Sequence, residues 1–325
     1  MLGACLPQSE PVYHHRARLP DDRFVDITLI GETHAVADQV TTEVIDELKT
    51  TYQLWGLPDA PPLARTNRLL PTGKRFSVAP SIMPLIQLGK RFHAQSDGLL
   101  DPAAGILDTL WGMRQPRNSS CRPTPTAALI EATRKRAPGM DDIEIHGIQI
   151  CSRSPFARLD FSLFQTGYNV DLAVQHLRER GIDNALVSIG GNLRAIGSRR
   201  GMPWRIALRN PGGGGVLGSV DVAGDEAVFT AGDYLPSKRC AGVDRQHIID
   251  PRTGRPVSAT HSVTVIHPSA TVADAAANAL FIAGPKDWKP IAKKLGVDQV
   301  LLIDRHGRIQ MTEKMRKRTT LIGEP

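Results

Sequence analysis

The chain has little cysteine. Four stand among 325 residues, at Cys5, Cys121, Cys151 and Cys240, and no two share a Cys-x-x-Cys spacing. That argues against a cysteine-built zinc site and against a disulfide framework. Aromatic residues make up only 5% of the chain. No aromatic stacking platform or basic helix stands out, so nucleic acid is not expected as a partner. No apolar run reaches the length of a membrane-spanning helix. No internal repeat is found. The run Gly212–Gly215 lacks the lysine and the following helix of a phosphate loop, and reads as a hairpin turn.

What is present is ordinary for a globular protein. Hydrophobic residues are 41% and charged residues 22%, enough for a large core. The net charge of +7 and the pI of about 9.4 favour an anionic ligand such as a nucleotide, or an anionic membrane surface. The densest basic run, Lys314 to Arg318, is read as part of a solvated C-terminal tail. Near the start, Leu2-Gly3-Ala4-Cys5 is like the end of a lipoprotein signal, without the basic and apolar segments that precede a lipidated cysteine. Either the sequence begins at a late start codon or the match is chance.

Apolar periodicity gives a mixed set of elements. Residues 6–22 are polar and read as a linker. Phe24–Ile30 alternates as a strand. Residues 35–51 form a helix with Val36, Val40, Val44, Ile45 and Leu48 on one face. Residues 55–62 are proline-rich and read as a loop, and 80–93 as a helix. Residues 118–125 are a loop, 127–136 a helix, and 143–151 strand-like with a turn at Gly147. Further helices are expected at 167–180, 270–283 and 287–295, and strands at 185–189, 204–208, 227–230, 262–266 and 299–304. Helices and strands do not alternate strictly. The pattern points to an α+β fold, as a single large domain or two intimately joined halves.

The segment His247-Ile248-Ile249-Asp250-Pro251-Arg252-Thr253-Gly254 places a titratable imidazole and a carboxylate around a tight turn. Proline fixes φ there, and glycine supplies φ > 0. Thr230-Ala231-Gly232-Asp233-Tyr234 lies just upstream. Four other segments accompany it. They are Gly98–Gly105 with Leu110-Trp111-Gly112, Asp160–Ser162 with Gly167–Asp171, Asn184–Arg194 with its Gly190-Gly191 pair, and Ala273–Phe281. Asp274 and Asn278 stand four apart on the expected last long helix and so share a face. Both offer oxygen, the ligand type that Mg²⁺ demands. A polar stripe on a surface helix would read the same way. Asp160 is equally a helix N-cap, Asp101-Pro102 equally a turn, and Tyr52 and Trp55 equally core residues.

In this order, the five segments resemble the FAD:protein FMN transferase family, over roughly residues 20–305. The resemblance implies Mg²⁺ held by Asp274, by Asn278 where the family has Thr, and by the backbone carbonyl of Leu163. It implies FAD contacts from Leu99, Leu100, Asp101, Asp160 and Ile248, from Tyr52 (with Trp55 as an alternative), and from Thr166 where the family often has Lys. His247 becomes the base that activates an acceptor hydroxyl. Around residue 21 the chain departs from the family, with Asp21-Asp22-Arg23 in place of Met-Gly-Thr. The resemblance further implies an exported protein. Cys5 would anchor it to the inner membrane on the periplasmic side, where folded flavoprotein acceptors expose a Thr or Ser.

The expected division is 1–22 as lipobox-like remnant and linker, 23–310 as transferase domain and 311–325 as basic tail. The expected reaction cleaves FAD's pyrophosphate, joins FMN to the acceptor and releases AMP. The alternatives are hydrolysis of FAD to FMN and AMP, and a degenerate flavin-binding accessory protein without turnover.

Overall fold

A computed structural model describes residues 10–57, 59–113, 123–233, 239–240, 243–244 and 248–322. The chain begins with an antiparallel pair, β1 (Val12–Arg18) and β2 (Phe24–Ile30). Helix α1 (His34–Thr51) runs into a single π-turn at Tyr52–Gly56 and then into α2 (Pro61–Leu69). There follow β3 (Phe76–Ser77), α3 (Met83–Gln95), α4 (Gly105–Trp111), α5 (Ala127–Arg136), β4 (Ile143–His146) and β5 (Gln149–Ser152). Helix α6 (Gln165–Glu179) leads to strands β6 (Ala185–Ile189), β7 (Asn192–Ile196), β8 (Trp204–Arg209), β9 (Val216–Val222) and β10 (Glu226–Gly232). After two short ribbons, β11–β12 (Arg239–Cys240, Val243–Asp244) and β13–β14 (Ile249–Asp250, Arg255–Pro256), comes β15 (Thr260–His267). The chain ends with α7 (Ala270–Leu295), β16 (Val300–Asp304), β17 (Ile309–Met311), α8 (Glu313–Arg318) and β18 (Thr319–Leu321).

An antiparallel sheet in the order β1-β2-β6-β7-β10-β15-β16-β17 runs through the whole molecule. Side chains alternate across it with the period of two that strand geometry imposes. Val25, Ile27, Leu29, Val187, Phe229, Val265 and Leu302 face one core with α1, α3, α6 and α7. Leu193, Val228, Leu301 and Ile303 face a second core, closed by β8, β9 and Met315 of α8. This is the α+β class expected, and the shared sheet makes it one unit rather than two halves. Among the described residues, no helix is long and apolar enough to cross a membrane.

Three expectations are corrected. Residues 12–18 lie within the expected linker but form the edge strand β1. Its polar face is stabilised across the pair by Arg16 donating to Asp26 at 2.6 Å, a charged face of the kind that keeps an edge from pairing further. The proline-rich stretch at 55–62 contains the π-turn and starts a helix, because Pro61 sits in the first helical turn, where its missing N–H costs nothing. The expected basic tail folds back. Thr312 caps α8, Met315 is fully buried, and β18 pairs with β9. Arg318 donates to both Glu226 oxygens at 2.7 Å, so the basic run is built into the fold.

Candidate functional site

The site is built where α6 crosses α7. Gly167 makes the crossing possible: a Cβ there would lie 2.2 Å from the Ala270 carbonyl oxygen and 2.8 Å from Asp274 Cβ. The eight alanines of α7 are all buried. At the crossing, the Gly167 N–H donates to Asp274 Oδ2 at 2.8 Å. Asp171, one turn further along α6, caps α7 from outside. Its carboxylate accepts from Ser269 Oγ, from the N–H groups of Ala270 and Thr271, and from Thr271 Oγ1, all within 2.9 Å. Negative charge at that terminus suits the helix dipole. Arg194 of β7 donates to Asp171 at 2.6 Å and so ties the Gly190-Gly191 segment to the same joint.

Asp274 is only 5% exposed. Burial pushes its carboxyl up to about 7, against the pull of the Gly167 N–H and of the Arg23 charge. Asn278 lies one turn along the same face. Its Nδ2 donates to the Leu163 carbonyl, to Asp274 Oδ1 and to the Asp274 carbonyl, each at 3.0 Å. The structure thus brings Leu163, Asp274 and Asn278 together around one point. A carboxylate, a backbone carbonyl and, with the amide turned over, an amide oxygen form an all-oxygen set that fits a hard cation such as Mg²⁺. A carboxylate that burial holds near 7 is stabilised by any cation brought to it.

The segment leading into Leu163 divides two neighbouring pockets. One is lined by Trp55, Gly56, Asn67, Asp160, Ser162 and Gln165. The other is lined by Leu99, Asp101, Ala104, Leu107, Leu163 and Ile249. Asp160 Oδ1 accepts from the Ser162 N–H at 2.9 Å, an Asx-turn that aims the chain toward Leu163; it is not the cap of α6, which begins at Gln165. Leu99 and Leu100 are buried in the core, which leaves their backbone as the part able to meet a ligand. Burial raises Asp101 to about 6, while His93 and the Ala103 N–H pull it down. Tyr52 is fully buried, and its hydroxyl donates to Asp21 at 3.0 Å and accepts from Arg23 at 3.0 Å. Its ring offers no face for stacking, which corrects the expectation of an aromatic platform. Trp55, the alternative, is also buried, edge-on to Tyr168.

His247 and Tyr234 lie outside the described residues. Ile248 is buried and accepts from the Val257 N–H through its carbonyl. The turn that follows is firmly held. Asp250 accepts from Arg252, Arg252 reaches the Ile282 carbonyl of α7, and the Trp111 indole N–H donates to the Gly254 carbonyl at 2.8 Å. Gly254 has φ of +66°, as the turn requires.

Arg23 and Asp21 were visible in the sequence only as a departure from the family pattern. Arg23 donates to Asp21 at 2.6 Å and to Thr166 Oγ1 at 2.9 Å, beside Asp274. Elsewhere, on the β4–β5 hairpin, Glu144, His146 and Cys151 bring donor atoms within 4.8 Å of one another, where they are already joined by hydrogen bonds.

Comparison with known proteins identifies the family. Residues 22–301 match the ApbE family. A FAD:protein FMN transferase of Rhodobacter capsulatus is 33% identical over 88% of this chain; the match spans about half, 55%, of that relative's own length. One from Vibrio cholerae is 31% identical over 82% of this chain and 78% of its own. Among solved structures, the flavin transferase ApbE from Vibrio cholerae superposes with a TM-score of 0.82 at 26% identity, over 95% of this chain and 99% of that one. The ApbE protein of Thermotoga maritima gives 0.84 at 25% identity, with the same two coverages. A chain that shares its sequence with these relatives over most of its length, and its fold with these structures throughout, belongs to the ApbE family.

Proposed function

We propose that this protein transfers FMN from FAD to a Thr or Ser hydroxyl of an acceptor protein. The observation that carries the reading is the convergence of Leu163, Asp274 and Asn278 on one point, between pockets lined by Asp101 and Asp160. The family of the chain supports it. The acceptor oxygen attacks the phosphorus of the FMN half, and the bond from that phosphorus to the bridging oxygen breaks. AMP leaves with the electron pair. The hydroxyl proton passes to His247 as general base. Phosphoryl transfer needs charge neutralisation and in-line positioning more than covalent help. Mg²⁺ held by Asp274, Asn278 and the Leu163 carbonyl would supply the neutralisation. Gly167 and Asp171 fix α7 so that Asp274 points at the joint.

Incubation with FAD, Mg²⁺ and a peptide bearing a candidate acceptor Thr should yield AMP and a peptide heavier by one FMN. Free FMN with unmodified peptide would assign hydrolysis instead, and neither product would refute the reading. We place the protein on the exported side of the inner membrane, anchored through Cys5. Cys5→Ser in the full-length precursor should move it to the soluble fraction. An unlipidated protein found in the cytoplasm would overturn that placement.

A further inference from the structure

We propose that Arg23 is a phosphate-contacting residue of this site, holding the anionic bridge of the dinucleotide beside the Asp274–Asn278 cluster. The proposal rests on the flavin-transfer reading and adds a cation that the family pattern does not supply at this position.

Arg23 closes the β1–β2 turn, where its carbonyl accepts from the Leu19 N–H. From there the side chain turns inward. Nε donates to Asp21 Oδ2 at 2.6 Å, Nη1 to Thr166 Oγ1 at 2.9 Å and Nη2 to the Tyr52 hydroxyl at 3.0 Å. Three separate parts of the chain therefore fix one guanidinium. Space for its stem is kept by Gly190, where a Cβ would stand 3.3 Å from Arg23 Cδ. Burial works against the charge, but Tyr52 and Asp21 outweigh it and hold the group above the ordinary arginine value. It is a fixed cation.

A guanidinium carries five N–H donors. Among the described residues three are taken, which leaves one on each Nη, and the side chain is 32% exposed. A planar pair of donors on a rigid frame matches phosphate oxygens. Its location selects the phosphates over the rest of FAD. Thr166 immediately precedes Gly167, whose N–H binds Asp274, so the guanidinium stands next to the residues that would hold Mg²⁺. With a cation on that cluster, a ligand bridging it and Arg23 would meet positive charge at both ends, and the pyrophosphate is the anionic part of FAD. Asp21 balances Arg23 on one side only, through Nε, so the two remaining donors stay on the guanidinium's outer nitrogens.

The test uses the full chain and three probes: FAD, ADP and riboflavin, each titrated in EDTA and in Mg²⁺. Arg23→Met should weaken FAD and ADP about ten- to hundredfold, as loss of hydrogen bonds to a charged group does. Riboflavin, which has no phosphate, should bind unchanged, and Arg23→Lys should fall between. Removing the arginine alone takes away the ion-pair partner of Asp21, so Asp21→Asn with Arg23→Met serves as the variant if the single one melts early. Equal ADP affinity in wild type and Arg23→Met overturns the proposal. So does an equal loss for riboflavin and ADP, which would put the guanidinium on the flavin ring. A wild type that binds neither FAD nor ADP overturns the flavin-transfer reading along with it, whereas retained FAD binding with an indifferent Arg23 overturns this proposal alone.

Discussion

Asn278→Asp is nearly isosteric, yet it reverses the chemistry of the point where the site converges. In the wild type, Nδ2 donates three hydrogen bonds, to the Leu163 carbonyl, the Asp274 carbonyl and Asp274 Oδ1. The substitution removes every one of those donors and sets two carboxyl groups against each other on one turn of α7. Both positions are at least nine-tenths buried, so little solvent screens them. Two facing carboxylates resolve the conflict by sharing a proton, which raises one pKa further. Leaving a buried acceptor without its donor costs about 1–3 kcal/mol. With the Leu163 carbonyl and one Asp274 oxygen affected, the loss in metal-free buffer should be about 2–6 kcal/mol. At roughly 2 °C per kcal/mol for a chain of this size, the melting temperature should fall by about 4–12 °C.

Magnesium should reverse that order. The aspartate variant presents two carboxylates and a carbonyl, a stronger set for a hard cation than one carboxylate with an amide. Binding to the folded state adds RT ln(1 + [L]/Kd), about 2.7 kcal/mol at a hundredfold excess over Kd. Thermal melts in EDTA and across a Mg²⁺ series should therefore show a larger Mg²⁺-induced rise for Asn278→Asp than for wild type, which must first give up the three amide bonds. Equal melting points in EDTA together with equal Mg²⁺ shifts would mean that Asn278 does not face a cation site. The readout is stability, so it does not depend on turnover.

Asp274→Ala should abolish Mg²⁺-dependent transfer, because it removes the charged member of the cluster; full activity in a coupled AMP-release assay would remove Asp274 from the mechanism. His247→Ala should slow transfer by about 10²–10⁴ while FAD affinity stays near wild type, as expected when proton removal matters only in the transition state; a parallel collapse of binding would make it a contact residue instead. Asp101 is held at about 6 against 3.8 for an ordinary aspartate. The folded state thus keeps its proton more tightly, and the stability this adds is complete below about pH 4 and lost as pH rises through 6. Urea unfolding across that window should show Asp101→Asn gaining about 1–3 kcal/mol relative to wild type; a constant difference would refute the assignment.

Where burial imposes a period, the fold could be read from the sequence. Phe24–Ile30 alternates because Val25, Ile27 and Leu29 enter one core, and residues 270–283 read as a helix because their alanines pack on every side. The elements not expected include β1, α2, α4, β7, β9 and α8, and two of them, β1 and α8, lack that pattern. β1 is an edge strand whose polar residues are satisfied across the pair, and α8 buries only Met315. Val36, placed on the apolar face of α1, lies in its first turn and is exposed. In the site, the segments and their order were legible, and so was the i, i+4 pairing of Asp274 with Asn278. The Arg23–Thr166 bond was not, since the two residues stand 143 positions apart and only the folded sheet brings them together. Nor was the burial of Tyr52, whose ring is sealed by the π-turn that no periodicity announces.

The three departures from the family pattern look in the sequence like three separate losses: Asp21-Asp22-Arg23, Thr166 and Asn278. In space they form one chain. Arg23 bonds Thr166, Thr166 adjoins Gly167, Gly167 binds Asp274, and Asn278 bonds Asp274 in turn. Independent decay would scatter changes and strand buried polar groups, at about 1–3 kcal/mol each. Here Arg23 brings a cation to Thr166, the position where the family often has Lys, and Asn278 satisfies both Leu163 and Asp274. The pattern favours a retuned site over a degenerate one, and a double-mutant cycle can decide. Arg23→Thr and Thr166→Lys each restore a family residue, and each alone should weaken FAD binding: the first removes the cation, and the second sets an ammonium against the guanidinium. Together they move the charge from one residue to the other, so the double variant should recover most of the affinity. The coupling should fall in the 0.5–3 kcal/mol range of residues in contact. Strict additivity, with the double variant as weak as the sum of its parts, would show that the two positions changed independently.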